Sequence, residues 1–141
     1  MSEKMVALAI GAHPDDIEFM MAGTLLLLKR AGLETHLCNL ANGCYGSQVY
    51  SKEEAASVRA LEAQDAARVA GAVWHPPLFD DIGIYYDAPS LAKVTAVVRR
   101  VKPDIVLTLS RHDYMEDHEY ASRLASSATF NRCMPSYVSE P

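Results

Sequence analysis

Apolar residues fall along this chain in two alternating textures, one continuous and one periodic. Met5-Val-Ala-Leu-Ala-Ile-Gly11 is an unbroken apolar run closed by turn chemistry, which predicts a strand buried on both faces of a parallel sheet. Phe19, Gly23, Leu26 and Leu27 then recur at helical spacing, and Lys29, Arg30 and Gly32 supply a cationic last turn and a glycine stop. Thr35 to Leu40 reads as a second strand. The loop Asn42 to Ser47 follows, its two glycines permitting positive φ or a close approach to a ligand. Ser51-Lys-Glu-Glu54 is a capping box opening a second helix that runs to Gly71 through Val58, Leu61, Ala66 and Val69. Val73 to His75 is a short third strand before Pro76-Pro77, and Leu78 to Gly83 is a loop with an acidic pair, Asp80 and Asp81. A third helix carries Leu91, Val94, Val97, Val98 and Val101 and ends before Pro103. Ile105 to Leu109 is a fourth strand, and the polar loop Ser110 to Glu116 leads into a fourth helix from about Asp117 to Phe130.

Strands alternating with helices predict an α/β fold: an open, mostly parallel sheet reached by right-handed crossovers, with helices on both faces. Ligands of such sheets bind beyond the carboxyl ends of the strands, where strand order reverses. The polar clusters at His13 to Asp16, Asn42 to Ser47, Asp80 to Asp81 and Arg111 to His118 all follow strands. They are expected to converge at one rim.

Bulk properties narrow the function without naming it. The 141 residues suit one domain spanning the whole chain, and half of them are hydrophobic. A net charge of −5 argues against nucleic-acid or anionic-membrane partners, which need clustered Lys and Arg. A small polar molecule fits better. Three cysteines, Cys38, Cys44 and Cys133, show no paired spacing and suit free thiols in a reducing compartment. The stretch from Met5 to Ile10 is too short for a signal segment or a membrane span, so a cytoplasmic protein is expected.

The most informative stretch is Ala12-His-Pro-Asp-Asp-Ile-Glu18. A strand end sets His13 and Asp16 three residues apart on the opening turn of a helix, so both can point at one ion. Imidazole nitrogen and carboxylate oxygen suit Zn²⁺, and a catalytic zinc takes three protein ligands with one position left open. His118, which opens the helix after the fourth strand, is the candidate third ligand. Asp15 projects differently from its neighbours and is the candidate general base, accepting a proton from a water whose pKa the metal lowers to about 7. Each residue also has a plain structural reading: His13 satisfied by backbone, Pro14 a first-turn proline, Asp15 or Asp16 a helix cap, His118 a solvated side chain.

These residues resemble the LmbE-like (PIG-L) N-acetylglucosaminyl deacetylases, zinc enzymes that release acetate from N-acetylglucosamine-containing conjugates. Ala12-His-Pro-Asp-Asp-Ile-Glu18 matches the family signature. Further matches follow in the family's order at Gly43-Cys-Tyr-Gly46, Arg59 and Glu62, Ala66 to Gly71, Pro103-Asp-Ile-Val-Leu107 and Asp117-His118. The resemblance implies a Rossmann-like three-layer sandwich, zinc on His13, Asp16 and His118, Asp15 as base, Arg59 as a substrate contact, and a small N-acyl amino sugar as substrate. It leaves homo-oligomerisation open.

Two departures from the family pattern stand out. Relatives carry a histidine where this chain has Met115, and a thioether cannot stabilise an oxyanion or protonate a leaving amine. His112 could substitute from the same loop or simply be solvated, and Asp117 could orient an imidazole. Relatives also continue well past the position of Pro141, which implies a form shortened at its C-terminal part or a minimal natural one. Tyr45 could line the pocket or anchor its loop, and Cys44 reads as a loop filler. Competing with the hydrolase is a non-catalytic sugar- or nucleotide-binding module on the same sheet. A dinucleotide-dependent oxidoreductase is disfavoured, because Gly11-Ala-His-Pro-Asp15 is not a glycine-rich phosphate loop.

Overall fold

The computed structural model describes residues 4–139; Met1 to Glu3, Glu140 and Pro141 lie outside them. Its elements are β1 (Val6–Gly11), α1 (Asp16–Met20), α2 (Ala22–Arg30), β2 (Glu34–Asn39), α3 (Lys52–Ala70), β3 (Val73–His75), α4 (Ala88–Val101), β4 (Ile105–Thr108) and α5 (Glu116–Asn131). The four strands form one parallel sheet in the order β3-β2-β1-β4. Helices α2 and α3 contact each other, as do α4 and α5, the pairing expected when a crossover returns the chain to the opposite face of the sheet. This is the α/β sandwich that the alternating textures predict.

The continuous apolar run explains the centre of the sheet. Ala7 to Ile10 of β1 are fully buried, because β1 has a strand on each side and helices above and below. Ile10 pairs with Thr108 of β4, and Gly11 with Asn39 of β2. Strand order therefore reverses between β1 and β4, and the segments leaving those two strands emerge side by side.

Two helical readings need correction. The first helix is not continuous: Met21, at φ −130°, separates α1 from α2. That break shifts the phase, so the buried residues are Ile17, Met21 and Leu25, while Phe19 is 83% and Leu27 64% exposed. In α3 the buried positions are Ala55, Ala63 and Ala67, and Val69 is 82% exposed. Small residues let that helix lie close to its neighbours, so its larger apolar side chains turn outward.

The caps follow the sequence more faithfully. Glu54 N–H donates to Ser51 Oγ and the Glu54 carboxylate accepts from Ser51 N–H, completing the capping box. Asp87 caps α4 by accepting from Ser90 N–H at 2.8 Å. All three cysteines are free, and burial pushes the Cys38 thiol up to about 12, far from reactivity at neutral pH. Among the described residues no helix is long and apolar enough to cross a membrane.

Candidate active site

Beyond the carboxyl ends of β1 and β4 lies a cavity of about 700 Å³, within the size range of small-molecule sites. His13 and Asp16 reach it from the turn after β1, and His118 from the first turn of α5. One donor atom of each residue lies within 4.8 Å of the other two. The structure thus brings together the three residues that the sequence singles out as ligands, although more than a hundred positions separate His118 from His13.

Each of the three is held by a second partner. Asp16 Oδ2 accepts from the backbone N–H groups of Ala12 at 3.0 Å and His13 at 2.7 Å. That fixes the carboxylate at the start of α1, with Oδ1 3.3 Å from His118 Nε2. His13 Nε2 lies 2.9 Å from Asp117 Oδ2, and His118 Nδ1 lies 3.2 Å from Asp113 Oδ1. Protons on those two nitrogens satisfy the carboxylates. The lone pairs of His13 Nδ1 and His118 Nε2 then point inward, an assignment made from the partners.

Two imidazole nitrogens and a carboxylate make a donor set suited to zinc, and the two outer carboxylates are the partners such imidazoles ordinarily have. Three carboxylates around two histidines also leave negative charge that a divalent cation would balance. The residues present therefore fit a metal ion.

Asp15 lines the same cavity in a conformation unusual for a residue with a side chain, φ 115°. Its Oδ2 accepts from Arg59 at 2.6 Å, and Arg59 also donates to the Pro14 carbonyl and, at 2.6 Å, to Glu62. Arg59 thus braces the turn that carries Asp15. Gly43 makes room for it: at φ 76° a Cβ there would come 2.8 Å from Arg59 Cγ.

The remaining predicted residues divide. Tyr45 lines the cavity, and its backbone N–H donates to Asp81 Oδ2 at 2.9 Å. Asp81 also accepts from Gly43 N–H at 2.7 Å and so ties down the glycine loop. Asp80 pairs with Lys52 at 2.6 Å and accepts from Asn42, and Cys44 is buried. Asp117 is brought in and orients His13. His112 is exposed and is not among the residues lining the cavity; its neighbour Asp113 reaches His118 instead. Met115 lines the cavity at the N-cap of α5. His36 and His75 lie in β2 and β3 as an internal pair, Nδ1 to Nε2 at 2.9 Å.

Two features escape the sequence. One is Asp113, which no spacing rule separates from His112. The other is Ile82, at φ 59° although β-branched, a conformation that costs about 1–2 kcal/mol. Its N–H donates to the same Asp117 oxygen that holds His13, at 2.8 Å. Asp15 and Ile82 both line the cavity, and positive φ at non-glycine residues is the kind of strain that gathers at functional sites.

Residues 8–129 match the family model described as PIG-L, GlcNAc-PI de-N-acetylase. The chain belongs to the PIG-L family. It is 33% identical over 133 residues to the 4-oxalmesaconate hydratase of Pseudomonas putida, covering 86% of this chain and 50% of that protein. Among solved structures it resembles the N,N'-diacetylchitobiose deacetylase of Pyrococcus horikoshii with a TM-score of 0.86 and 25% identity, covering 96% of this chain and 53% of the other. A conserved protein of Thermus thermophilus matches with a TM-score of 0.81 and 31% identity, covering 96% and 60%. The chain spans about half the length of the curated relative it matches. PIG-L membership and these neighbours support an enzyme, with deacetylases and a hydratase among its relatives.

Proposed function

We propose that this chain carries the catalytic centre of a zinc-dependent hydrolase that removes an acyl group, acetyl in the simplest case, from the amide nitrogen of an N-acetylglucosamine-type compound. The observation that carries the reading is the convergence of His13, Asp16 and His118 within 4.8 Å, in the same cavity as Asp15. His13, Asp16 and His118 would hold the ion, which when bound supplies Lewis acidity, making water nucleophilic at neutral pH and polarising a carbonyl.

The chain's own residues supply the rest. Asp15 is the general base: its carboxylate takes the proton of the attacking water and delivers it onward to the departing nitrogen, for which a single well-placed carboxylate suffices. Arg59 fixes the rotamer of Asp15 through Oδ2 and contacts substrate at the cavity edge. Asp117 holds His13 in one tautomer and orientation. Tyr45 forms part of the wall.

The hydratase relative favours a second reading, hydration of an unsaturated carboxylate. The cationic side chains available support the amide instead. Five carboxylates (Asp15, Asp16, Asp81, Glu116 and Asp117) line the cavity against one guanidinium, Arg59, which is already paired with Asp15 and Glu62. Beyond the metal, the lining therefore offers a polycarboxylate or a nucleotide phosphate no unpaired cationic side chain, whereas a neutral amide needs none.

The test is acetate release from N-acetylglucosamine conjugates by the zinc-loaded protein, with hydration of 4-oxalmesaconate run in parallel. Asp15→Asn is expected to lower release by about 10²–10⁴-fold with zinc content unchanged. Hydration without acetate release would overturn the proposal in favour of the second reading.

A further inference from the structure

The turn Asp80–Gly83 places its strain on an unexpected residue. Gly83 N–H donates to the Asp80 carbonyl at 3.1 Å, and the left-handed position of such a turn ordinarily goes to glycine. Gly83 is one residue away, yet it stays outside the left-handed region and Ile82 takes φ 59°. The glycine serves a different need, since a Cβ at 83 would come 2.9 Å from the Asp80 carbonyl oxygen.

The backbone of Ile82 has a clear task, because its N–H reaches Asp117 at 2.8 Å. That task explains the conformation but not the side chain: glycine or asparagine would present the same N–H with less strain. Nor does packing explain it, for Ile82 is 70% exposed and faces the cavity. Tyr85 and Tyr114 line the same mouth and are also exposed, Tyr114 standing edge-on to the His118 ring at 5.8 Å. An apolar wall therefore rises beside an acidic floor.

We infer that Ile82 is a specificity-determining residue: its side chain, with Tyr85 and Tyr114, receives the apolar portion of a substrate whose polar end lies over His13, Asp16 and His118. The substrate class is an uncharged N-acyl amino sugar bearing an aryl or longer alkyl group rather than the free sugar or its methyl glycoside. This inference rests on the hydrolase reading above and sharpens it.

Calorimetric titration of the zinc-loaded protein with the phenyl and the methyl glycoside of N-acetylglucosamine tests it. The wild type is expected to bind the phenyl glycoside about tenfold more tightly, the gain from burying part of a ring. Ile82→Gly is expected to keep or raise the Tm and to bring that preference below about threefold, while Ile82→Val retains most of it. Ile82→Asn, which tolerates a left-handed backbone, serves if the glycine variant does not fold. Equal affinities in the wild type, or an undiminished preference in the variants, would overturn the inference. Acetate measured in the same samples separates the two readings. A preference that depends on Ile82 without acetate release would refute the hydrolase and leave the apolar wall standing.

Discussion

Removing the carboxylate behind His118 is expected to weaken metal binding without touching a ligand. Asp113 Oδ1 lies 3.2 Å from His118 Nδ1 and accepts from Met115 N–H at 3.2 Å. Burial pushes the Asp113 carboxyl upward, but the Met115 N–H and His118 outweigh it and hold it below the usual carboxylate range, so it is charged at neutral pH. It keeps the proton on Nδ1, leaving Nε2 free 3.3 Å from Asp16 Oδ1. Loss of such an outer partner ordinarily costs about 10–100-fold in metal affinity, or about 1.4–2.8 kcal/mol. The assay is chelator competition for Zn²⁺ at fixed pH on Asp113→Ala. Asp80→Ala serves as control, removing a rim carboxylate that pairs with Lys52 instead. We expect a loss of about 10–100-fold for the first variant and under about threefold for the second. Affinity of Asp113→Ala within threefold of wild type, with its helical spectrum intact, would refute the reasoning. Equal losses in both variants would assign the effect to overall charge.

Gly43→Ala, by driving a Cβ into Arg59, is expected to dislodge the brace on Asp15, costing about 1–2 kcal/mol of stability and lowering acyl release more than zinc content; denaturant melts and metal analysis separate these. Burial, with His36 and Arg100 adding, pushes His75 down to about 4. The unfolded residue gains its proton near 6.5 and the folded one only near 4, so this contribution is complete above about pH 6.5 and is lost as pH falls towards 4. Discounted for partial exposure it amounts to at most about 2 kcal/mol, and His75→Gln should flatten that loss in urea melts at pH 7.5 and 5.0. Leu124, fully buried on α5, should cost about 2–5 kcal/mol as alanine, whereas Leu27→Ala, mostly exposed, should stay within about 0.5 kcal/mol by the same melts.

Much of this molecule is written locally. A strand buried on both faces must be apolar throughout, so β1 is legible as a run. A capping box is closed by residues three apart, so the start of α3 is legible at Ser51. His13 and Asp16 lie within one turn, and their meeting needs only the geometry of that turn. Alternation of elements then dictates a parallel sheet, and the rule that loops follow strands gathers the polar clusters at one rim. His118 belongs with His13 because β4 lies beside β1; alternation makes those two strands plausible neighbours, and the strand order of the sheet makes them actual ones.

What the chain could not declare along its length depends on contacts between distant elements. Helical periodicity shows that α1, α2 and α3 have apolar residues, but only packing decides which face is covered: Met21 breaks the phase, and alanines line the contact in α3 while Val69 points outward. The choice of Asp113 over His112 rests on the path of a loop across the rim, to which neighbouring residues contribute equally plausible side chains. Ile82 bears positive φ because an N–H must meet Asp117, 35 positions away, and because the adjacent glycine is claimed by a close carbonyl. Local rules act over a few bonds and can be read one segment at a time; the aim of a side chain is set by whatever the rest of the fold places opposite it.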